Sequence, residues 1–588
     1  MAHTWLVAFL AIVGAWLVSC AHRFYTNYRN AVASGFPVVL CPVNTQNPVY
    51  MVLNAPLRPI LKKILPTAIY DAWQPATYGW EFRDHHGFHD RIGPVFILVT
   101  TGVNEIWCAD PALAQILLAR RKDFVMLPEA KIIMSLLGNN IIASDGETWA
   151  RQRRLIAPNL NERISAIVWK ESMLQADQMA DFMLTKEPEG ISTQTVASLR
   201  AIAINVLGQV GYGQPKPFQP MELPRDPKAP MAYIDAIGLV AELLAAAAIV
   251  PNFILSLPFM PLVVQTLAAA MRKLPALTAD MLDQERQRQK TRSVEDSESR
   301  ENIMSLLVRL ADQSKNKEAG QARAADPHAS TLSLTEDEIA GNLFLVTGAG
   351  FDTTANTMSY AAVLMAAYPD KQAWMQDELD RVFGGSSTGL TEKQRADRLA
   401  SLDYTTVYPQ LVRCLAFMFE TLRLFPAVLH LSRGVKVNPT NAPPQTVTVR
   451  STTHHLAGAY NVFVNNMGLH TAPATWGADS DEFRPERWIE VDEKTGQESV
   501  MTPPRGTFSP WSGGPRVCPG QKMSQVEFVV VMATLLWRCS VKPVTHSERG
   551  ETDADARHRL LELTEDSQPR LTLQMNRPDE AELQWVAR

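Results

Sequence analysis

The chain has 588 residues, 46% hydrophobic and 20% charged, with a formal net charge of −5. This is a globular composition with apolar material for a sizeable core, and its slightly acidic balance gives no electrostatic reason to expect a nucleic-acid partner. Six cysteines without a CxxC pair exclude a disulfide scaffold and a zinc ribbon and point to a reducing compartment.

The first element is apolar. Trp5 to Ala21 carries no charge, and as a helix it is about 25 Å long, near the lower limit for crossing a bilayer. Arg23 and Arg29 follow it and no Lys or Arg precedes it, which by the positive-inside rule leaves the body on the cytoplasmic side. The competing reading is a cleaved signal peptide, and Leu17-Val18-Ser19-Cys20 resembles a lipoprotein cleavage box. Against it, the basic n-region is missing and the positive charges lie on the wrong side. The expected organisation is an uncleaved membrane anchor over 1–21, a Pro-, Asn- and aromatic-rich linker over 22–60, and a catalytic body over 61–588.

Next, VFILVT (95–100) and NEIWCA (104–109) flank Thr101-Gly102 as a hairpin. Asp110-Pro111 then starts a helix, with Asp as N-cap and Pro at the first helical position. The pattern stays mostly helical to about residue 430. Residues 237–264 are very apolar but broken by Glu242 and three prolines, so they read as a greasy helix–loop–helix, buried or resting on a membrane, rather than a second span. The polar stretch 286–333 reads as an exposed helix end and a mobile loop. Strand-like runs gather after Pro443. There is no internal repeat, and the predicted fold class is mainly α with a small β component.

Two helices carry chemistry. Thr335-Glu336-Asp337-Glu338 fits a capping box opening a helix that runs to about Tyr368, before Pro369. At its centre, VTGAGFDTTANT (346–357) places two glycines and a Thr pair, although each Gly costs about 1 kcal/mol relative to Ala. On one reading the glycines allow close packing and Asp352 finds a salt-bridge partner. On the other, the glycines leave room for a ligand and Thr hydroxyls bond back one turn and widen the helix. A carboxylate and a hydroxyl then stand ready to relay protons. In the second helix, CLAFMFETLRLFP (414–426), Glu420 and Arg423 sit at i, i+3 among apolar residues. Buried charges need partners, so this pair reads as structural, with Arg487 in DEFRPERWIE (481–490) as a third candidate.

The most distinctive stretch is WSGGPRVCPG (511–520), ahead of a long apolar helix. A cysteine before a helix N-terminus meets N–H donors and the positive end of the dipole, which favour thiolate. A buried structural cysteine would not need this Gly/Pro cradle. A catalytic nucleophile would want a base, which only a distant His could supply, and a zinc ligand would want companions. A single soft thiolate on an open face suits the axial position of a heme iron.

Trp511-x-x-Gly514-x-Arg516-x-Cys518-x-Gly520 resembles the heme-binding loop of the cytochrome P-450 family, with Trp where the family usually has Phe. Ala349-Gly350-Phe351-Asp352-Thr353-Thr354 resembles the family's oxygen-activating stretch. Glu420-Thr421-Leu422-Arg423 with Arg487 resembles its buried triad, and Trp149-Ala150-Arg151-Gln152-Arg153 its Trp-x-x-x-Arg helix. Arg433 lies where the family often has another propionate-binding Arg. The motifs stand in the family's order over essentially the whole chain, and the anchor resembles that of microsomal members. The resemblance implies the cytochrome P-450 fold preceded by a transmembrane helix. It also implies heme b with Cys518 as axial ligand to the iron, its sulfur bonded by backbone N–H groups around Val517 to Gly520. Arg516, Arg153, Arg433 and Trp149 would hold the propionates. Gly350 would leave space for oxygen, Thr353 would bond it, and Asp352 would help deliver protons.

The implied activity is monooxygenation: one oxygen atom from O2 enters a lipophilic small molecule by hydroxylation, epoxidation or multistep oxidation. Electrons would come from an NADPH-cytochrome P-450 reductase carrying FAD and FMN, and cytochrome b5 is a second electron-donor candidate. The implied location is the endoplasmic reticulum membrane, with a single-pass anchor, membrane lipid around it and the catalytic domain in the cytoplasm. The wording of the C-terminal motifs resembles fungal members, hence secondary-metabolite biosynthesis. Two rival activities are an O2-independent heme-thiolate isomerase or dehydratase, and a non-catalytic heme sensor. His85, His86 and His89 resemble a metal cluster, but an exposed polar helix end is the simpler reading, and His454-His455 takes the same discount.

Overall fold

A computed structural model describes residues 2–291, 302–321, 333–435, 445–449 and 451–588. Much of the polar stretch expected as a mobile loop, at 292–301 and 322–332, lies outside the described residues. The chain forms two compact units: Met1–Leu127 with Val428–Glu482 and Pro503–Cys518, and Pro128–Ala427 with Phe483–Thr502 and Pro519–Arg588.

In the first unit, helix α1 (Ala2–Ala33) continues past the apolar stretch. Tertiary contacts account for the extension, because Asn27 donates to Thr100 O at 3.0 Å and Gly102 O at 2.8 Å, and Ala31 joins the core. Among the described residues it is the one helix long and apolar enough to span a membrane. Strand β1 (Val38–Leu40) and helix α2 (Pro48–Ile64) follow, in the region expected as linker. Asn47 starts α2 by accepting from Val49 and Tyr50 N–H, with Pro48 at the first position.

The hairpin forms as expected. Strand β2 (Val95–Val99) pairs antiparallel with β3 (Asn104–Cys108), Val95 opposite Cys108. Helix α3 (Pro111–Ala119) is capped by Asp110, which accepts from Leu113 N–H at 2.9 Å. With β4 (Phe124–Val125), β5 (His430–Val435), β6 (Gln445–Val449), β7 (Thr452–Leu456) and β8 (Tyr460–Asn465), the unit builds a six-stranded sheet of order β1-β2-β3-β8-β5-β4 and a separate β6/β7 hairpin. Phe36, Ile97, Ile106, Leu117, Phe124 and Val462 form part of its core.

The second unit is mainly helical. Helices α4 (Gly146–Ile156), α5 (Glu162–Thr185), α6 (Thr195–Tyr212), α7 (Tyr233–Glu242) and α8 (Leu262–Thr291) precede the long α9 (Glu336–Ala367). Helices α10 (Val412–Leu424) and α11 (Gln521–Arg538) follow. Helices α6 and α7 pack on α9, and α11 lies along α5. The capping box on α9 is present in both directions, Thr335 to Glu338 N–H and Glu338 back to Thr335 N–H. Residues 237–264 fold as the end of α7, two short helices and the start of α8; Ile237 and Val240 are buried, whereas Phe253 is 72% and Phe259 76% exposed.

Candidate active site

Among the six cysteines, Cys41, Cys108, Cys414 and Cys539 are buried, Cys20 lies in α1, and Cys518 is exposed. Burial pushes the Cys41 thiol up to about 11 and the Cys108 and Cys539 thiols up to about 12. Burial disfavours thiolate at all three and at Cys414 as well, whereas Cys518 is the cysteine of the body that is exposed. Its loop is closed by Cys518 N–H donating to Trp511 O at 2.8 Å and Val517 N–H to Gly514 O at 3.1 Å. Two of the N–H groups expected to bond the sulfur are therefore spent on the loop, and Pro519 has none. Gly514 has φ +63°, and a Cβ there would stand 2.6 Å from Leu118 O in α3. Glycine is required twice over, for the left-handed backbone and for the close approach. Trp511 meets Phe508 edge-on, with centroids 6.4 Å apart.

In the second unit, from Gly341 to Ala367, α9 keeps partial accessibility only at Val346, Ala349, Gly350 and Thr353. The spacing i, i+3, i+4, i+7 is a single helix face, so one stripe of this buried helix stays open, and the sequence's glycine and threonine lie on it. Thr353 Oγ1 donates to Ala349 O at 2.8 Å, which leaves its lone pairs available. At Gly350 a Cβ would meet Leu207 Cδ2 of α6 at 3.3 Å; the space beside this glycine in that direction is taken by helix packing.

Asp352 faces the other way and is 1% exposed. Its Oδ1 accepts from Arg200 Nη2 at 3.3 Å, Asn356 Nδ2 at 3.2 Å and Gln574 Nε2 at 3.0 Å, and its Oδ2 from Thr572 Oγ1 at 2.5 Å. Arg200 also bonds Glu242 and reaches Asn356 Oδ1 at 2.9 Å. The carboxylate closes a network joining α6, α7, α9 and the hairpin of Ser567–Pro569 and Leu573–Met575, and a proton could pass through it only if an oxygen left its donors. Glu242 stood out in sequence as a charge in an apolar run; Arg200, Thr572 and Gln574 gave no local signal.

The Glu420 cluster forms within this unit. Arg423 donates through Nε at 2.8 Å and Nη2 at 2.9 Å. Arg487 Nε adds 3.0 Å, Arg484 N–H 2.8 Å and Trp488 Nε1 2.9 Å. Glu420 and Arg423 are fully buried, and Trp488, one residue beyond the motif, supplies a donor that sequence reading missed.

Trp149 is buried and Arg153 partly buried one turn on in α4. In the first unit, Arg433 lies buried on β5, opposite Val462, with Nη1 on Ser432 O at 2.7 Å. Arg516 ends the short turn Gly514–Arg516, and Gly520 precedes α11. The histidines are otherwise engaged. His85 pairs with Asp481 at 2.8 Å, and His89 is buried between Gly93 O at 3.2 Å and Asn465 at 3.0 Å. Burial pushes the His89 imidazole down to about 3.

The model of the family described as Cytochrome P450 matches residues 78–564. The chain belongs to the cytochrome P450 family. It is 29% identical, over 94% of both chains, to the phomenoic acid biosynthesis cluster cytochrome P450 monooxygenase of Leptosphaeria maculans. It is 25% identical, over 86% of both, to cytochrome P450 monooxygenase ORF6 of Penicillium roqueforti. A solved cytochrome P450 (CYP102L1) superposes with a TM-score of 0.58 at 18% identity, covering 86% of this chain and 94% of that one. The chain is thus a cytochrome P450 monooxygenase, and its family implies heme, a redox partner and a small-molecule substrate. The residues of the first unit fit that cofactor, since one exposed cysteine stands on a glycine cradle.

Proposed function

We propose that this cytochrome P450 inserts one oxygen atom from O2 into a lipophilic small molecule of fungal secondary metabolism, with Cys518 as the residue whose sulfur would hold a heme iron. The Cys518 loop carries the reading: of six cysteines, one is exposed, on a loop where a Cβ at position 514 would stand 2.6 Å from Leu118 O. Heme held there by the Cys518 sulfur would supply oxygen activation. Arg516, Arg153 and Arg433 would pair with carboxylates of the group, and Trp149 would add an N–H. Thr353 holds its hydroxyl on Ala349 O and can accept a second hydrogen bond on the open stripe. A proton delivered by Asp352 would require Thr572 or the Arg200 side to release an oxygen first. Electrons would come from an NADPH-dependent flavoprotein reductase at the endoplasmic reticulum, where α1 would anchor the chain, and cytochrome b5 would be an auxiliary donor. That the Leptosphaeria maculans relative is named for a phomenoic acid biosynthesis cluster supports a secondary-metabolite substrate.

The saturation of Asp352 favours one second reading, heme-thiolate isomerisation or dehydration without dioxygen, which needs no proton relay. The reduced, carbon monoxide-bound spectrum of the detergent-solubilised protein tests the ligand: a thiolate-type red-shifted Soret band that vanishes in Cys518→Ser is expected. Absence of heme, or an unchanged spectrum in the variant, would remove the assignment. Incorporation of 18O from labelled O2 into product then separates the two activities.

A further inference from the structure

Glu338 does more than a capping box asks of it. Its carboxylate accepts four hydrogen bonds: Thr335 N–H at 3.0 Å, Gln152 Nε2 at 3.0 Å, and both Nη atoms of Arg151, one of them at 2.9 Å. The box needs only the first. The other three come from α4, and the side chain that receives them belongs to a residue 4% exposed. Gln152 is fully buried, and its amide is spent in the same place. Its Nε2 also donates to Ser144 Oγ at 3.1 Å, and its Oε1 accepts from Asn342 Nδ2 at 2.9 Å. Glu338 and Asn342 stand one turn apart on α9, so two consecutive residues of α4 are gripped by two successive turns of a neighbouring helix.

The grip falls on the side of α4 that Trp149 and Arg153 do not use. At about 100° per residue, Trp149 and Arg153 lie within about 40° of each other, and Arg151 lies about 200° from Trp149. Little else fixes the direction of this helix. Of its 11 residues only Trp149, Gln152 and Ile156 are buried, and the N-cap Asp145 makes no side-chain cap bond. Apolar burial is non-directional, whereas a forked Arg–carboxylate pair fixes orientation as well as distance. The polar contacts therefore set how α4 is turned about its axis.

We infer that Glu338 is a positioning residue for cofactor binding: through Arg151 and Gln152 it sets the rotation of α4, and with it the direction in which Trp149 and Arg153 present their donors. Arg151 carries the pairing because its planar fork reaches both oxygens, which a lysine cannot do. The inference rests on the reading that Trp149 and Arg153 meet carboxylates of the heme.

The test uses the full-length heme-loaded protein and two readings that need no substrate: the rate of heme transfer to excess apomyoglobin, and the ferric/ferrous reduction potential. Glu338→Gln removes a negative charge, which by itself raises the potential, whereas a displaced Arg153 leaves a heme carboxylate uncompensated and lowers it. The expected result for Glu338→Gln is heme release at least about tenfold faster than wild type, the scale on which orienting partners of a bound group act, with a lowered potential, as in Arg153→Met. Arg151→Lys keeps the charge and loses the fork, and is expected to move both readings the same way. It decides the question alone if Glu338→Gln does not accumulate folded. Thr335→Ala removes the cap hydroxyl and none of the contacts to α4, and is expected to release heme at the wild-type rate. Wild-type release or a raised potential in Glu338→Gln, with both readings altered in Arg153→Met, would overturn the positioning role and leave the carboxylate reading standing. Release from Thr335→Ala as fast as from Glu338→Gln would assign the effect to the helix cap and overturn the role as well. Wild-type release and potential in Arg153→Met would overturn the carboxylate reading itself, and the positioning role with it.

Discussion

Removing Glu420 tests the account of the buried cluster most severely. Its two oxygens accept five hydrogen bonds from Arg423, Arg484, Arg487 and Trp488. Glu420→Ala leaves the fully buried Arg423 without its carboxylate, and breaking a buried pair this way costs about 3–5 kcal/mol. The stranded N–H donors of Trp488 and Arg484 add about 1–3 kcal/mol each. The sum, roughly 5–11 kcal/mol, is comparable to the whole stability of a folded protein, about 5–15 kcal/mol. Glu420→Ala is therefore expected to accumulate little folded, heme-loaded protein. Glu420→Gln keeps the shape and one acceptor oxygen and is expected to lose about 3 kcal/mol. For a chain of 588 residues, an unfolding entropy of about 2.1 cal/mol/K per residue makes that a Tm shift of only about 2–3 °C, so the urea midpoint is the sharper assay. In the folded fraction of Glu420→Gln the carbon monoxide-bound Soret position should not move, because a structural cluster changes how much protein folds rather than what ligates the iron. An alanine variant that accumulates normally, with a urea midpoint at the wild-type value, would refute the reasoning.

Gly514→Ala places a Cβ 2.6 Å from Leu118 O at φ +63°; heme content at equal expression should fall severalfold, whereas Gly550→Ala, which meets nothing within 4 Å, should retain it. Thr353→Ala loses one bond to a helix carbonyl and should leave the melting curve within about 0.5 kcal/mol of wild type while lowering product formed per NADPH consumed. Asp352→Ala removes the acceptor that Arg200, Asn356, Thr572 and Gln574 share and should unfold more easily than Asp352→Asn by at least about 1 kcal/mol in urea titration. Glu527 in α11 is buried, and desolvation pushes its carboxyl up from 4.5 to about 8. Between those values the unfolded chain carries fewer protons at this site than the folded one, so the contribution of this carboxyl is full below pH 4.5 and lost as pH rises to 8. Glu527→Gln should therefore be more stable relative to wild type at pH 8 than at pH 5, on the order of a few kcal/mol; a pH-independent difference would contradict the burial argument.

The elements that sequence alone determined are those whose signals are local. Asp110-Pro111 and Thr335 with Glu338 cap their helices as written, since a cap needs only neighbouring residues. The β2/β3 hairpin follows from alternation around a turn, and the Cys518 loop stands out in the sequence because its glycines and prolines are contiguous with the cysteine. Glu420 and Arg423 one turn apart were legible as a pair, but the donors from Arg484 and Trp488 were not, being more than sixty residues away in sequence. What only tertiary structure decided is orientation. The sequence put Asp352 and Thr353 side by side, yet the fold turns the carboxylate into a buried network and leaves the hydroxyl on the open stripe, because successive helical residues point about 100° apart. Likewise α2 read as a linker because two internal prolines and three basic residues weaken a helical pattern. Contacts from Tyr50 and Asn54 tie it to the body and decide which side faces outward. Local sequence sets which conformations are cheap, and which face of each is buried depends on partners that the chain brings together only on folding.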